Sequence, residues 1–109
     1  MYDALAEALK AIQGVKFTEY AWRTRPDGNY GTYQRDFEIE SDDGDDSKQD
    51  RGWEGSVHLY TKGREMMLAA EVESALAANC GNSWYLNSEQ YEEETGLLHR
   101  EFVFQIEKR

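Results

Sequence analysis

The sequence has 109 residues, 39% of them hydrophobic, 31% charged and 13% aromatic, with a net charge of −10. A chain this long supports one domain around one core, burying roughly 65% of its unfolded surface, and it contains no run of the ~20 apolar residues that span a bilayer. So negative a field works against phosphate backbones, so general nucleic-acid binding and direct sequence-specific binding are not expected, while a local basic strip stays open. Cys80 has no second cysteine to pair with, and the N-terminus lacks the basic-apolar-small pattern of a secretory signal. A reducing cytoplasm is the expected compartment.

Met1, Leu5, Ala8, Leu9 and Ile12 recur at helical spacing, so a first helix is expected over Met1–Gln13, with Asp3 and Glu7 near the positive end of its dipole and Gly14 as its stop. Lys16–Trp22 reads as a strand. Arg25-Pro26-Asp27-Gly28 reads as a type I turn, and Tyr30–Ile39 resumes a strand pattern, which together predict an antiparallel hairpin.

Between Glu40 and Asp50 there is no large apolar residue. Asp42, Asp43, Asp45, Asp46 and Asp50 gather around Gly44, which predicts a solvated, mobile acidic loop. Placing Gly44 at the sixth position of a calcium loop puts Ile39 first and Ser41 third, so the pattern fails where ligands are required and no dedicated metal site is assigned.

In Trp53–Tyr60, Trp53, Gly55, Val57 and Leu59 alternate with Glu54, Ser56, His58 and Tyr60, the signature of a strand with one greasy face. A second helix is expected from about Arg64 to Ala78, with Leu68, Ala69, Val72, Ala75 and Leu76 inward and Met66 and Met67 extending that stripe. Ser83–Tyr91 is the fourth strand. After the acidic turn Glu92-Glu93-Glu94-Thr95-Gly96, Leu97–Ile106 is the last strand, with Leu98, Phe102, Phe104 and Ile106 on one face interrupted only by Arg100. The order α-β-β-β-α-β-β predicts a single α+β domain over residues 1–109: a two-layer antiparallel sheet with two helices on one face.

A search for catalytic or cofactor chemistry finds none to assign. His58 and His99 sit mid-strand on polar faces, with no C-x-x-C or H-x-x-x-H spacing for zinc. Ser56 lacks the glycines of a nucleophile elbow, and Gly28-Asn29-Tyr30-Gly31 lacks a dinucleotide-binding pattern. No enzyme activity and no cofactor are assigned. Seven tyrosines and three tryptophans are more polar-tipped aromatic surface than a small core readily hides. Trp22, Arg23, Arg25, Tyr30 and Tyr33 on the first pair of strands, with Trp53 and Tyr91, are the candidate contact residues. Trp22 and Trp53 read equally well as core.

Three stretches resemble the tail-terminator, or tail-completion, proteins of long-tailed bacteriophages and prophages, a group that shades into minor tail and neck proteins. They are Tyr20-Ala21-Trp22 with Arg25-Pro26-Asp27-Gly28-Asn29-Tyr30-Gly31; Trp53 to Thr61; and Trp84-Tyr85-Leu86-Asn87-Ser88 running into Gln90 to His99. The resemblance implies a ring, commonly hexameric, that caps the finished tail tube and offers a surface to the head connector. It also implies assembly in the host cytoplasm and a place in the virion tail or neck. In that setting the loop Asp42 to Asp50 could face the lumen or order on docking, and its charge alone suggests that in the lumen it would repel passing DNA. An alternative follows from acidity alone: a small adaptor or DNA-mimic inhibitor that binds a basic protein.

Overall fold

The computed structural model describes residues 1–39 and 52–108. The five aspartates of the acidic loop lie outside the described residues.

The element order is the expected one: α1 (Tyr2–Lys10), β1 (Lys16–Glu19), β2 (Tyr30–Ile39), β3 (Gly52–Thr61), α2 (Met66–Cys80), β4 (Trp84–Glu92) and β5 (Leu97–Glu107). Each helix is short, so it persists by burying a stripe and not by intrinsic propensity. In α1 the stripe is Tyr2, Leu5, Ala6 and Leu9. Met1, expected on it, is 42% exposed because the helix starts one residue later and Tyr2 takes the inward position. In α2 the buried residues are the five expected ones. Met66 and Met67 do not extend that face; they are 65% and 81% exposed on the first turn.

The five strands form one sheet in the order β1-β2-β3-β5-β4. Three of the four pairings are antiparallel, but β1 and β2 run parallel, Lys16 opposite Tyr30 and Glu19 opposite Tyr33. The sheet is therefore mixed, and the expected hairpin does not exist. Two local features explain the difference. The first strand stops at Glu19, where Tyr20 takes a positive φ of 67°. Residues 20–29 then carry the chain back past the start of β1, where the Asn29 carbonyl accepts a bond from Lys16 N at 3.4 Å. From that point β2 can only run alongside β1 in the same direction. Arg25–Gly28 is one bend inside this longer crossing and not a tight hairpin turn.

Both helices pack on one face, and a single core joins them to the inward side chains of the sheet, among them Phe17, Tyr33, Val57, Leu59, Phe102, Phe104 and Ile106. Gly55 sits on this face because it must. A Cβ there would collide with the Gln34 carbonyl and the Phe104 ring. No described helix is long and apolar enough to cross a membrane.

Candidate functional site

The other face of the sheet carries no described helix, and strand alternation decides what it presents. The register places Tyr30 opposite Tyr60 and Tyr60 opposite His99, so three rings from β2, β3 and β5 line up on that open face. Tyr30 and Tyr60 stack at 4.6 Å with planes 13° apart, and Tyr60 and His99 stack at 4.2 Å with planes 19° apart. His58 approaches diagonally, its Nδ1 2.8 Å from His99 Nε2. The row ends on β4, where Glu92 Oε2 lies 3.3 Å from His99 Nδ1. Glu101 Oε2 is 3.8 Å from His58 Nε2.

Electrostatics follow from partial burial. Desolvation pushes the His58 pKa below its usual 6.5; a charge on His99 would push it the same way, while Glu101 and Asp36 oppose the shift. The Tyr60 hydroxyl is raised, first by burial and then by Tyr30 and the carboxylates Glu92 and Glu101. Burial alone pushes the Cys80 thiol up to about 11, so it stays protonated and poorly nucleophilic at neutral pH. Among the described residues no three His, Cys, Asp or Glu side chains converge to hold a metal ion.

The sequence candidates divide between this face, the core and the edges. Trp22 is half-buried, its indole N–H donating to the Gly31 carbonyl at 3.0 Å. That bond folds the 20–29 loop against the sheet and makes an open groove of about 250 Å³ lined by Tyr20, Trp22, Arg25, Tyr30, Thr32 and Tyr60. Arg23 and Arg25 are exposed on this loop. Tyr30 is 8% exposed within the ring stack, and Tyr33 is 3% exposed on the helix side, packed edge-on against Tyr2 at 5.9 Å. Trp53 is half-buried between cations, with Arg35 Cζ 5.0 Å and Lys108 Nζ 5.1 Å from its ring centre. Tyr91 stands at the other edge, 65% exposed, lining a second groove of about 250 Å³ with Lys62, Arg64, Glu89 and Leu98.

Two features carry weight that sequence reasoning did not assign. The His58–His99 pair needs the β3–β5 register, which no local signal supplies. Arg100, by contrast, announces itself as a charge on an otherwise apolar stripe. It is 3% exposed, its Nη2 donates to the Arg64 carbonyl at 2.5 Å, and its Nε lies 3.7 Å from Glu89 Oε1. Its Nη1 is buried with no hydrogen-bond partner among the described residues.

These elements define an α+β fold in which both described helices lie on one face of a five-stranded mixed sheet. No family model and no curated protein matches the sequence. Among solved structures the chain is similar to one in the virion of a native gene transfer agent particle, with 14% identity and a TM-score of 0.55. The superposition covers 98% of this chain and 92% of that one, so the likeness is one of whole folds.

Proposed function

We propose that the chain is a non-enzymatic structural and assembly protein of a phage-type particle, acting as a ring that caps the tail tube and joins it to the head connector. The observation that carries this reading is the end-to-end match of fold to a virion component, 98% of one chain against 92% of the other. The placement of Tyr91, Arg23 and Arg25 at opposite edges, exposed and unlike in charge, supports contact with other subunits.

Native mass by size-exclusion chromatography with light scattering, over a range of protein and salt concentrations, tests the ring. A mass near six times 12.6 kDa is the expected result. Salt belongs in the design because a net charge of −10 opposes self-association most when it is least screened. A monomer under every condition that competes with DNA for a basic protein would overturn the ring in favour of the acidic adaptor.

A further inference from the structure

We propose that successive copies in the ring meet head to tail, the β4 edge of one protomer lying against the β1 edge and 20–29 loop of the next. The inference rests on the ring reading above and deepens it by naming the two surfaces. β1 and β4 are the outer strands of the described sheet. They differ sharply in length and in charge.

β4 is nine residues long and pairs on one side only, with β5. Every second backbone N–H and C=O along it therefore points away from the sheet with no strand to receive it, the arrangement that recruits another chain. The usual protections are sparse. Residues 84–98 contain no proline, lysine or arginine, and the one irregularity is a bulge at Asn87 between Leu86 and Ser88. Large apolar and aromatic groups stand on it in solvent: Tyr85 is 56%, Leu86 42% and Tyr91 65% exposed. Solvent is a poor final environment for that row.

Charge selects the occupant. Residues 84–98 carry Glu89, Glu92, Glu93 and Glu94 and no Lys or Arg; Glu89 lies against Arg100 and Glu92 against His99, which leaves Glu93 and Glu94 as the exposed charges at the end of this edge. Two β4 edges facing each other would set those glutamates against their own copies, which disfavours a two-fold contact. The opposite edge has the complementary sign. Within a chain of net charge −10, β1 and the 20–29 loop hold Lys16, Arg23 and Arg25 against Glu19 and Asp27, a small positive excess. Lys16, Arg23 and Arg25 are exposed, and exposed Tyr20 sits among them as an aromatic partner for the β4 row. A surface joined to its opposite, and not to itself, is heterologous, the kind of contact that closes into a ring when the rotation between copies closes.

The test reverses each edge separately and then together. Glu93→Lys/Glu94→Lys cancels the net negative charge of the β4 edge and sets lysines against the arginines of the next copy, and Arg23→Glu/Arg25→Glu makes both edges acidic; all four side chains are exposed, and a cooperative melt checks that each variant is folded. At near-physiological salt each variant alone is expected at 12.6 kDa, while an equimolar mixture, in which unlike copies alternate, returns to the wild-type multimer mass. Variants that keep the multimer mass unaided, or a mixture that stays monomeric while wild type assembles, overturn the edge assignment and leave the ring standing. A wild type that is monomeric throughout overturns the ring, and this contact with it.

Discussion

His58 Nδ1 and His99 Nε2 face each other at 2.8 Å, and that separation fixes how the pair holds its protons. One nitrogen must donate and the other accept. Glu92 lies 3.3 Å from the outer nitrogen of His99, within hydrogen-bond reach, whereas Glu101 lies 3.8 Å from the outer nitrogen of His58, beyond it. The neutral pair is therefore best satisfied with His58 Nδ1–H donating to His99 Nε2, and His99 Nδ1–H directed at Glu92. A further proton has a place on His58 Nε2, towards Glu101.

This arrangement predicts a pH dependence of stability. Burial holds the His58 pKa below its ordinary 6.5. When the folded pKa lies below the unfolded one, the unfolded chain binds the proton first as pH falls. The stability contributed by neutral His58 is thus fully present above 6.5 and declines as pH drops from there to the folded pKa. Glu101, Glu92 and Asp36 face the site and temper the effect. Urea unfolding of wild type and His58→Gln at about pH 7.5 and about pH 5.5 checks it, since a group that titrates near neutrality dominates that interval. Wild type should lose more stability across the interval than the variant. Equal losses would remove His58 as the cause.

Arg100 predicts an ordering of substitutions. Its guanidinium ties β5 to the Arg64 carbonyl, just ahead of Glu65, the N-cap of α2, whose φ is a strained +43°. Arg100→Ala loses that bond and leaves a void under α2, at a cost of about 2–3 kcal/mol. Arg100→Met fills most of the volume and removes the buried, unpartnered Nη1, so it should cost less than the alanine. Glu89 is 40% exposed, and Glu89→Gln should change stability by less than about 1 kcal/mol. Chemical denaturation of the three variants orders them; a Glu89→Gln loss equal to that of Arg100→Ala would mean the ion pair dominates.

Gly55 predicts a steric penalty from the smallest possible side chain. Its position on the helix-facing side of β3 brings the Phe104 ring and the Gln34 carbonyl into the space of a Cβ. Gly55→Ala must displace one of them, costing about 1–3 kcal/mol as overpacking does, despite the better strand propensity of alanine. A thermal melt suffices to measure it, and an unchanged midpoint would show that the sheet yields freely at this point.

These cases also mark how far the sequence could be read. Strict alternation in β3 and β5 made their inward faces legible, because period two with one buried face leaves a single consistent orientation. The bounds of β2, Tyr30–Ile39, came from the same pattern. The direction of β1 relative to β2 was not legible, because turn chemistry at Pro26-Asp27-Gly28 reports a bend and not where the chain goes afterwards. Tertiary ties decide that: the Asn29 side chain donates to the Gly14 carbonyl at 3.3 Å and accepts from Lys62 N at 2.9 Å, joining segments far apart in sequence. The ring stack and the histidine pair depend on pairing between β3 and β5, some forty residues apart; adjacent strands could have brought the histidines together, but nothing local in the sequence required it. Tyr33, a candidate for contact, proved to be packed against Tyr2 because β2 turns it toward α1.

Trp22 offers a local test of the loop that forms the basic edge. Its indole bond to the Gly31 carbonyl, 3.0 Å long, is the one side-chain tie described between residues 20–25 and the sheet. Losing it, with the ring's packing, should favour local opening by about 1–1.5 kcal/mol, or roughly tenfold in the open population. Trypsin reads that population directly when opening and closing are fast relative to cleavage. Arg23 is exposed and followed by Thr24, so it is the susceptible bond, whereas Arg25 precedes Pro26 and resists. Trp22→Ala should therefore speed cleavage after Arg23 by about tenfold while the global melt moves little, and Trp22→Phe, which keeps a ring and drops only the N–H, should fall between. A cleavage rate that does not change in either variant would mean the loop is held by its backbone path from Tyr20 to Asn29 and not by the indole.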